Sequence, residues 1–274
     1  MNGSHYALLG LGFGLIFGTT RITHFAFGPV YALSAYGCWF AAALSAPLWL
    51  AVVAGMATGA VAGVLSYLVV YRPFERNESP ALVILIASLG LFIVLENAIG
   101  VAFGTDTKVV PAPPSGVLLW GPLVVTGAQL AQVAALALIA GALGLYLTRT
   151  RFGRAVLAMS DNPEMARIVG IDTLRASIVA FALGSAIAAA PACLILVKDG
   201  ATAHMGFLAV FMAFVAVVVG GIGSLRGAVA GGLALGLVES AGMAKIPTEW
   251  QNSIAFVVLF VVLLVRPRGL FGGR

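Results

Sequence analysis

Two groups of residues in this sequence have types and spacings that could do chemistry. The first is the stretch at 148–172, TRTRFGRAVLAMSDNPEMARIVGID, with four arginines, two aspartates and one glutamate in an otherwise apolar chain. Its centre is punctuated as a short helix. Asn162 is a good N-cap, Pro163 fits the first helical position, Glu164 favours the positive end of the dipole, and Gly170 suits a left-handed stop. About seven residues cannot hold a helix alone, so this one needs a surface to dock on. Met165, Ile168 and Val169 supply an apolar face for that docking, and Glu164 and Arg167 supply polar anchors. The second group is His24, Ser88, Glu96 and Asn97, polar side chains within or beside long apolar runs. An unpaired ionisable group in hydrocarbon is costly, which makes such residues candidates for a solute path. Glu96 and Asn97 either line that path, where they meet an amino group or an amide, or sit at the water interface or paired inside the protein. Ser88 is placed to join the same polar stripe, and His24 lies near one end of an apolar run. For Glu239 a structural pairing is the expected role.

The elements that position these residues follow from composition. Of 274 residues, 61% are hydrophobic and only 9% are charged. Soluble domains carry about 25% charged residues, so this chain cannot build an ordinary hydrated surface. Continuous apolar runs, without the alternation of barrel strands, point to an all-α polytopic transmembrane bundle. Polar breaks and prolines divide the chain into candidate spans near 6–19, 27–46, 48–71, 81–103, 128–147, 176–197, 207–222, 227–243 and 252–265. The first is short enough to be tilted or re-entrant, and the eighth is rich in glycine, so about eight or nine spans are expected. The loop from Gly104 to Gln129 is the longest outside loop, and its VVPAPPSG segment reads as proline-stiffened and extended. Residues 1–274 form one transmembrane domain with a cytoplasmic loop at 148–175, and no separate soluble domain fits.

Alternating the spans places all twelve arginines on one face and the three lysines, Lys108, Lys198 and Lys245, on the other. Positive charge beside span ends favours the cytoplasm, which puts the N-terminal end outside and the C-terminal end inside. The net charge of +5 is thereby assigned to loop orientation, and no nucleic-acid partner is expected. Cys38 and Cys193 lie in apolar runs as buried thiols. Glycines recur at spacing four, with Gly55, Gly59 and Gly63 on one face, Gly223, Gly227 and Gly231 on another, and Gly232 with Gly236. Such faces let helix backbones approach closely in lipid.

Glu164-Met165-Ala166-Arg167-Ile168-Val169-Gly170 resembles the Glu-Ala-Ala-x-x-x-Gly motif of bacterial ABC-importer permeases. The surrounding GRAVLAMSDNPEMARIVGID is similar to the corresponding loop of branched-chain amino acid permeases of the LivH type. RITHFAFGPVYALSAY, RPFERNESPALVILIASLGLFIVLENAIGVAFG and the C-terminal RPRGLFG carry the same resemblance, which covers nearly the whole chain. It implies a coupling helix seated in a groove of an ATPase subunit, with Arg154, Asp161, Asn162, Pro163, Glu164, Ala166, Arg167 and Gly170 as the coupling residues. It further implies a bacterial inner-membrane permease partnered by ABC ATPase subunits, a second related permease and a periplasmic binding protein. The implied solute is a branched-chain amino acid, with urea, short amides and other small carboxylates left open.

No G-x-x-x-x-G-K-[ST] sequence occurs, so ATP hydrolysis is expected on partner subunits, with no cofactor bound by this chain and no enzymatic activity of its own. A membrane enzyme would need clustered histidine, aspartate or cysteine, whereas the three histidines are scattered. An ion-coupled secondary transporter is the more distant alternative, because no aspartate lies in a span and the glutamates are off-centre.

Overall fold

The computed structural model describes residues 1–110, 117–120, 123–243, 250–266 and 269–271. The chain is a mostly helical membrane bundle. Its helices are α1 (Asn2–Thr20), α2 (Phe27–Ala43), α3 (Leu48–Ser66), α4 (Arg72–Arg76), α5 (Ala81–Phe103), α6 (Gly127–Arg149), α7 (Arg151–Asp161), α8 (Pro163–Ile168), α9 (Thr173–Asp199), α10 (Gly206–Gly220), α11 (Leu225–Met243) and α12 (Gln251–Val265). Among the described residues, five segments are long and apolar enough to cross a membrane: Leu48–Arg76, Ala81–Phe103, Gly127–Arg149, Thr173–Asp199 and Ala203–Gly220. Part of the segment 109–116, expected to be extended, lies outside the described residues, as does Lys245. Just beyond it a short antiparallel hairpin, β1 (Val117–Trp120) with β2 (Leu123–Thr126), leads into α6.

The first apolar segment is longer than its expected bounds of 6–19. α1 is a continuous 19-residue helix whose middle, from Ala7 to Ile16, is buried. Helices α9, α10 and α11 pack against it, so it forms the centre of the bundle. Glycine makes that position accessible. A Cβ added at Gly12 would stand 2.5 Å from the Gly184 carbonyl oxygen on α9. At Gly232 and Gly236 of α11 an added Cβ would strike the α1 backbone at Ala7 and Gly3. Gly55, Gly59 and Gly63 of α3 likewise lie against Ser34 and Cys38 of α2 and against Ser185 and Cys193 of α9. The second glycine face differs from expectation. Gly223 belongs to the turn before α11, with φ 88°, and only Gly227 and Gly231 pack on Gly220 of α10.

The third segment also runs on past its expected end. After α3 the helix widens into a π turn, Tyr67–Tyr71, and continues as α4 through Arg76. Proline cannot donate to a preceding carbonyl, and Pro73 stands two residues after the widened turn that accommodates the lost bond. The change in phase turns Tyr67 and Tyr71 into the protein, where both are buried.

Candidate functional sites at the two ends of the bundle

The polar stretch at 148–172 is built from local rules. Thr150 caps α7 by accepting from the Gly153 N–H at 2.9 Å. Asn162 Oδ1 accepts from the N–H groups of Glu164 (3.1 Å) and Met165 (3.0 Å), satisfying two donors that α8 would otherwise leave free. At the other end Gly170 adopts φ 84°. The Ile171 N–H donates to the Ala166 carbonyl at 3.0 Å and the Gly170 N–H to the Arg167 carbonyl at 3.1 Å, the two bonds of a Schellman stop. Asp172 then caps α9 through the Arg175 N–H, 3.1 Å away.

Within α8 only Ala166 is buried, packed with Met159, Leu147 and Ala176 on the bundle's own surface. Met165, Ile168 and Val169 point away, 55%, 77% and 69% exposed. Arg154, Asp161, Glu164 and Arg167 are also exposed. α8 is thus a clamped knob with an apolar tip and a charged surround. The tip of α1 is tied to the same end by Arg21, whose Nη2 donates to the Ser160 carbonyl at 3.1 Å. Beside the knob lies a cavity of about 790 Å³, lined by Arg21, Arg72, Glu75, Arg76, Pro163 and Arg167, among others. Tyr67 donates to Glu75 Oε2 at 2.7 Å on its wall.

The second group separates into two sites. His24, in the loop at 21–26 between α1 and α2, is fully buried, with Nδ1 2.8 Å from the Tyr71 hydroxyl. Tyr71 in turn lies 2.8 Å from Ser88 Oγ, which accepts from the Phe25 N–H at 2.7 Å. Burial pushes the His24 imidazole down to about 3, so it stays neutral. Its Nε2 has no hydrogen-bond partner among the described residues. Glu96 sits two turns further along α5, roughly 12 Å from Ser88 at 1.5 Å per residue. There it meets Nδ1 of His204 at 2.9 Å. Asn97 joins neither site. It is exposed and donates to the Ile93 carbonyl of its own helix.

Sequence reasoning missed the partners: Tyr71 for His24, His204 for Glu96, and a third polar cluster on α1. In that cluster Tyr6 donates to Glu239 Oε1 at 3.0 Å, and the amide nitrogen of Gln132 donates to Nδ1 of His5 at 3.1 Å. The available signal was a histidine, a glutamine and a glutamate set in the apolar helices α1, α6 and α11, polar groups that need partners across the bundle.

A family model described as the branched-chain amino acid transport system / permease component matches residues 1–263. This chain belongs to that permease family. The high-affinity branched-chain amino acid transport system permease protein BraD of Pseudomonas aeruginosa is 32% identical over 98% of this chain and 92% of its own length. The corresponding LivH of Escherichia coli strain K12 is 33% identical over the same shares. Among solved structures, PsaBC from Streptococcus pneumoniae in complex with Fab aligns with TM-score 0.52 at 13% identity, covering 97% of this chain and 91% of that one, which shows a shared fold. The chain is therefore a multi-pass permease subunit of an ABC importer.

Proposed function

We propose that this permease moves branched-chain amino acids, or a closely related small solute, inward across a bacterial cytoplasmic membrane, driven by separate ATPase subunits. Nine helices would cross the bilayer: α1, α2, α3 with its π turn, α5, α6, α9, α10, α11 and α12. The Asn2 end of α1 would face outside and the Val265 end of α12 the cytoplasm. The arginine-rich ends at Arg21, Arg72, Arg76 and Arg149 through Arg175 support that orientation. The observation that carries the reading is the clamped helix α8, which exposes three large apolar side chains beside a charged cavity. An isolated water-facing helix has no use for such a tip. A groove on an ATPase subunit does.

In this reading Met165, Ile168 and Val169 enter the groove, while Arg154, Asp161, Glu164 and Arg167 meet its polar rim. Asn162, Pro163, Ala166 and Gly170 hold the helix rigid, so that closure of two ATPase subunits moves the bundle. A second, related permease would pair with this one, and a periplasmic binding protein would deliver the solute. His24 and Ser88 would line the inner part of the path and Glu96 the outer part. Asn97, on the outer surface of α5, would face lipid or the second permease. No cofactor is needed on this chain.

Radiolabelled leucine uptake into vesicles carrying the full assembly tests the reading. Uptake is expected to stop when ATP is depleted and to persist when a protonophore collapses the proton gradient. The reverse pattern contradicts it and indicates an ion-coupled carrier.

A further inference from the structure

The cavity of about 790 Å³ beside α8 gathers more cationic groups than its setting requires. Arg21 lines it from the end of α1, Arg72 and Arg76 from α4, and Arg167 from α8. Of these four guanidinium groups only that of Arg21 has a hydrogen-bond partner among the described residues, the Ser160 carbonyl. The ion pairs among the described residues, Arg175–Asp172, Lys198–Asp199 and His204–Glu96, involve none of the four. Two carboxylates share the wall. Glu75 accepts from the Tyr67 hydroxyl at 2.7 Å, and Glu78 is exposed. Four positive charges against two negative leave an excess of two. Charge bias at span ends accounts for arginines at this end of the bundle. It does not require three separate elements to bring them to one cavity. Each guanidinium carries a fork of donors that matches phosphate oxygens, so unpaired arginines around a recess form a ready anion site.

The place of the cavity narrows the choice of anion. It adjoins the polar ends of two segments long enough to cross a membrane, Leu48–Arg76 and Ala81–Phe103. Ile84, one turn into the second segment, and Leu174, at the start of α9, add apolar wall. Basic recesses between membrane helices on the cytoplasmic side suit phospholipid headgroups, and the volume falls in the range of small-molecule pockets. We propose that this cavity is a phosphate site, filled by the headgroup phosphate of an anionic phospholipid or by a free phosphate anion of the same chemistry. Arg72 and Arg76 hold the phosphate from α4 and Arg21 from α1, so the bound anion ties these two helices together beside the α8 knob. The site rests on the cavity and its arginines, and it stands whichever solute the permease carries.

The test uses the full chain purified in detergent, with phosphatidylglycerol, phosphatidylcholine and inorganic phosphate as probes. Native mass spectrometry measures bound lipid, and calorimetric titration measures inorganic phosphate. Arg72→Gln combined with Arg76→Gln removes two charges from the cavity. Arg149→Gln combined with Arg151→Gln removes two from exposed positions that do not line it. An arginine beside an anionic headgroup contributes about fivefold in affinity, so the first pair is expected to weaken phosphatidylglycerol binding roughly twentyfold. The second pair is expected to leave it at the wild-type value, and phosphatidylcholine, neutral overall, to bind every form weakly. Arg76→Gln alone, at an exposed position, is expected to lose about fivefold and serves where the double variant does not fold. The same arginine dependence for inorganic phosphate, without phosphatidylglycerol binding, upholds the site and assigns it to a free anion. Equal losses in the two double variants overturn it, since general surface charge then accounts for the binding. So does equal affinity for phosphatidylcholine, or failure of the unaltered chain to bind either phosphatidylglycerol or phosphate.

Discussion

Ile168→Asp is expected to release the ATPase subunits from the permease while leaving the permease folded. Ile168 is 77% exposed, so nothing in the bundle depends on it. Seated in a partner's groove, an isoleucine contributes about 1.5–3 kcal/mol through burial. A carboxylate in its place loses that contribution and adds the cost of burying an unpaired charge or of leaving the groove unfilled. Together these amount to roughly 3 kcal/mol or more, about a hundredfold or greater weakening of association. Co-purification of ATPase subunits with the membrane complex measures the effect. Retention at the wild-type level places the groove elsewhere. Ala166→Asp is a different kind of change, because Ala166 is buried against the bundle and its replacement disturbs the seat of α8.

Gly12→Val is expected to abolish the folded bundle. The added Cβ alone would stand 2.5 Å from the Gly184 carbonyl oxygen, and the phenyl ring of Phe27 lies 3.3 Å away on another side. Overpacking of a tight interior costs about 1–3 kcal/mol and more where backbone has to move. Here α1 would have to part from α9 at the centre of the molecule. Gly141 on α6 supplies the comparison, since a Cβ there meets nothing within 4 Å. In detergent, the monodisperse fraction on gel filtration should collapse for Gly12→Val and stay at the wild-type level for Gly141→Val. Equal behaviour of the two variants would show that the α1–α9 contact is looser than described.

How much of this was legible in the sequence follows from the range of the forces involved. α8 was legible in detail, because Asn162, Pro163 and Gly170 act on their own backbone neighbours, and the observed caps use those residues. The long helices were legible as apolar runs interrupted at Pro47, Pro80 and Gly200. The central place of α1 was not, because a glycine-rich helix looks weak until its flat faces meet those of α9 and α11. Gly223 misled for a related reason. Spacing of four assumes one helix, and the chain turns before Leu225. The polar pairs were the least legible. Tyr6 and Glu239 lie 233 positions apart, and His5 and Gln132 lie 127 apart, so nothing local joins them. The π turn is an intermediate case. The span expected to end near 71 instead widens there, and the widening aims Tyr71 at His24.

The central claim is that the tip of α8 is gripped from the cytoplasm by a nucleotide-hydrolysing neighbour. Ile168→Cys tests it directly, since the two native cysteines, Cys38 and Cys193, are buried and silent toward water-soluble reagents. With a short bifunctional thiol reagent in membranes of cells expressing the whole assembly, residue 168 is predicted to cross-link to an ATPase subunit. In intact cells it should stay unlabelled by an impermeant maleimide applied outside. Labelling from outside, with no ATPase cross-link, would contradict the account.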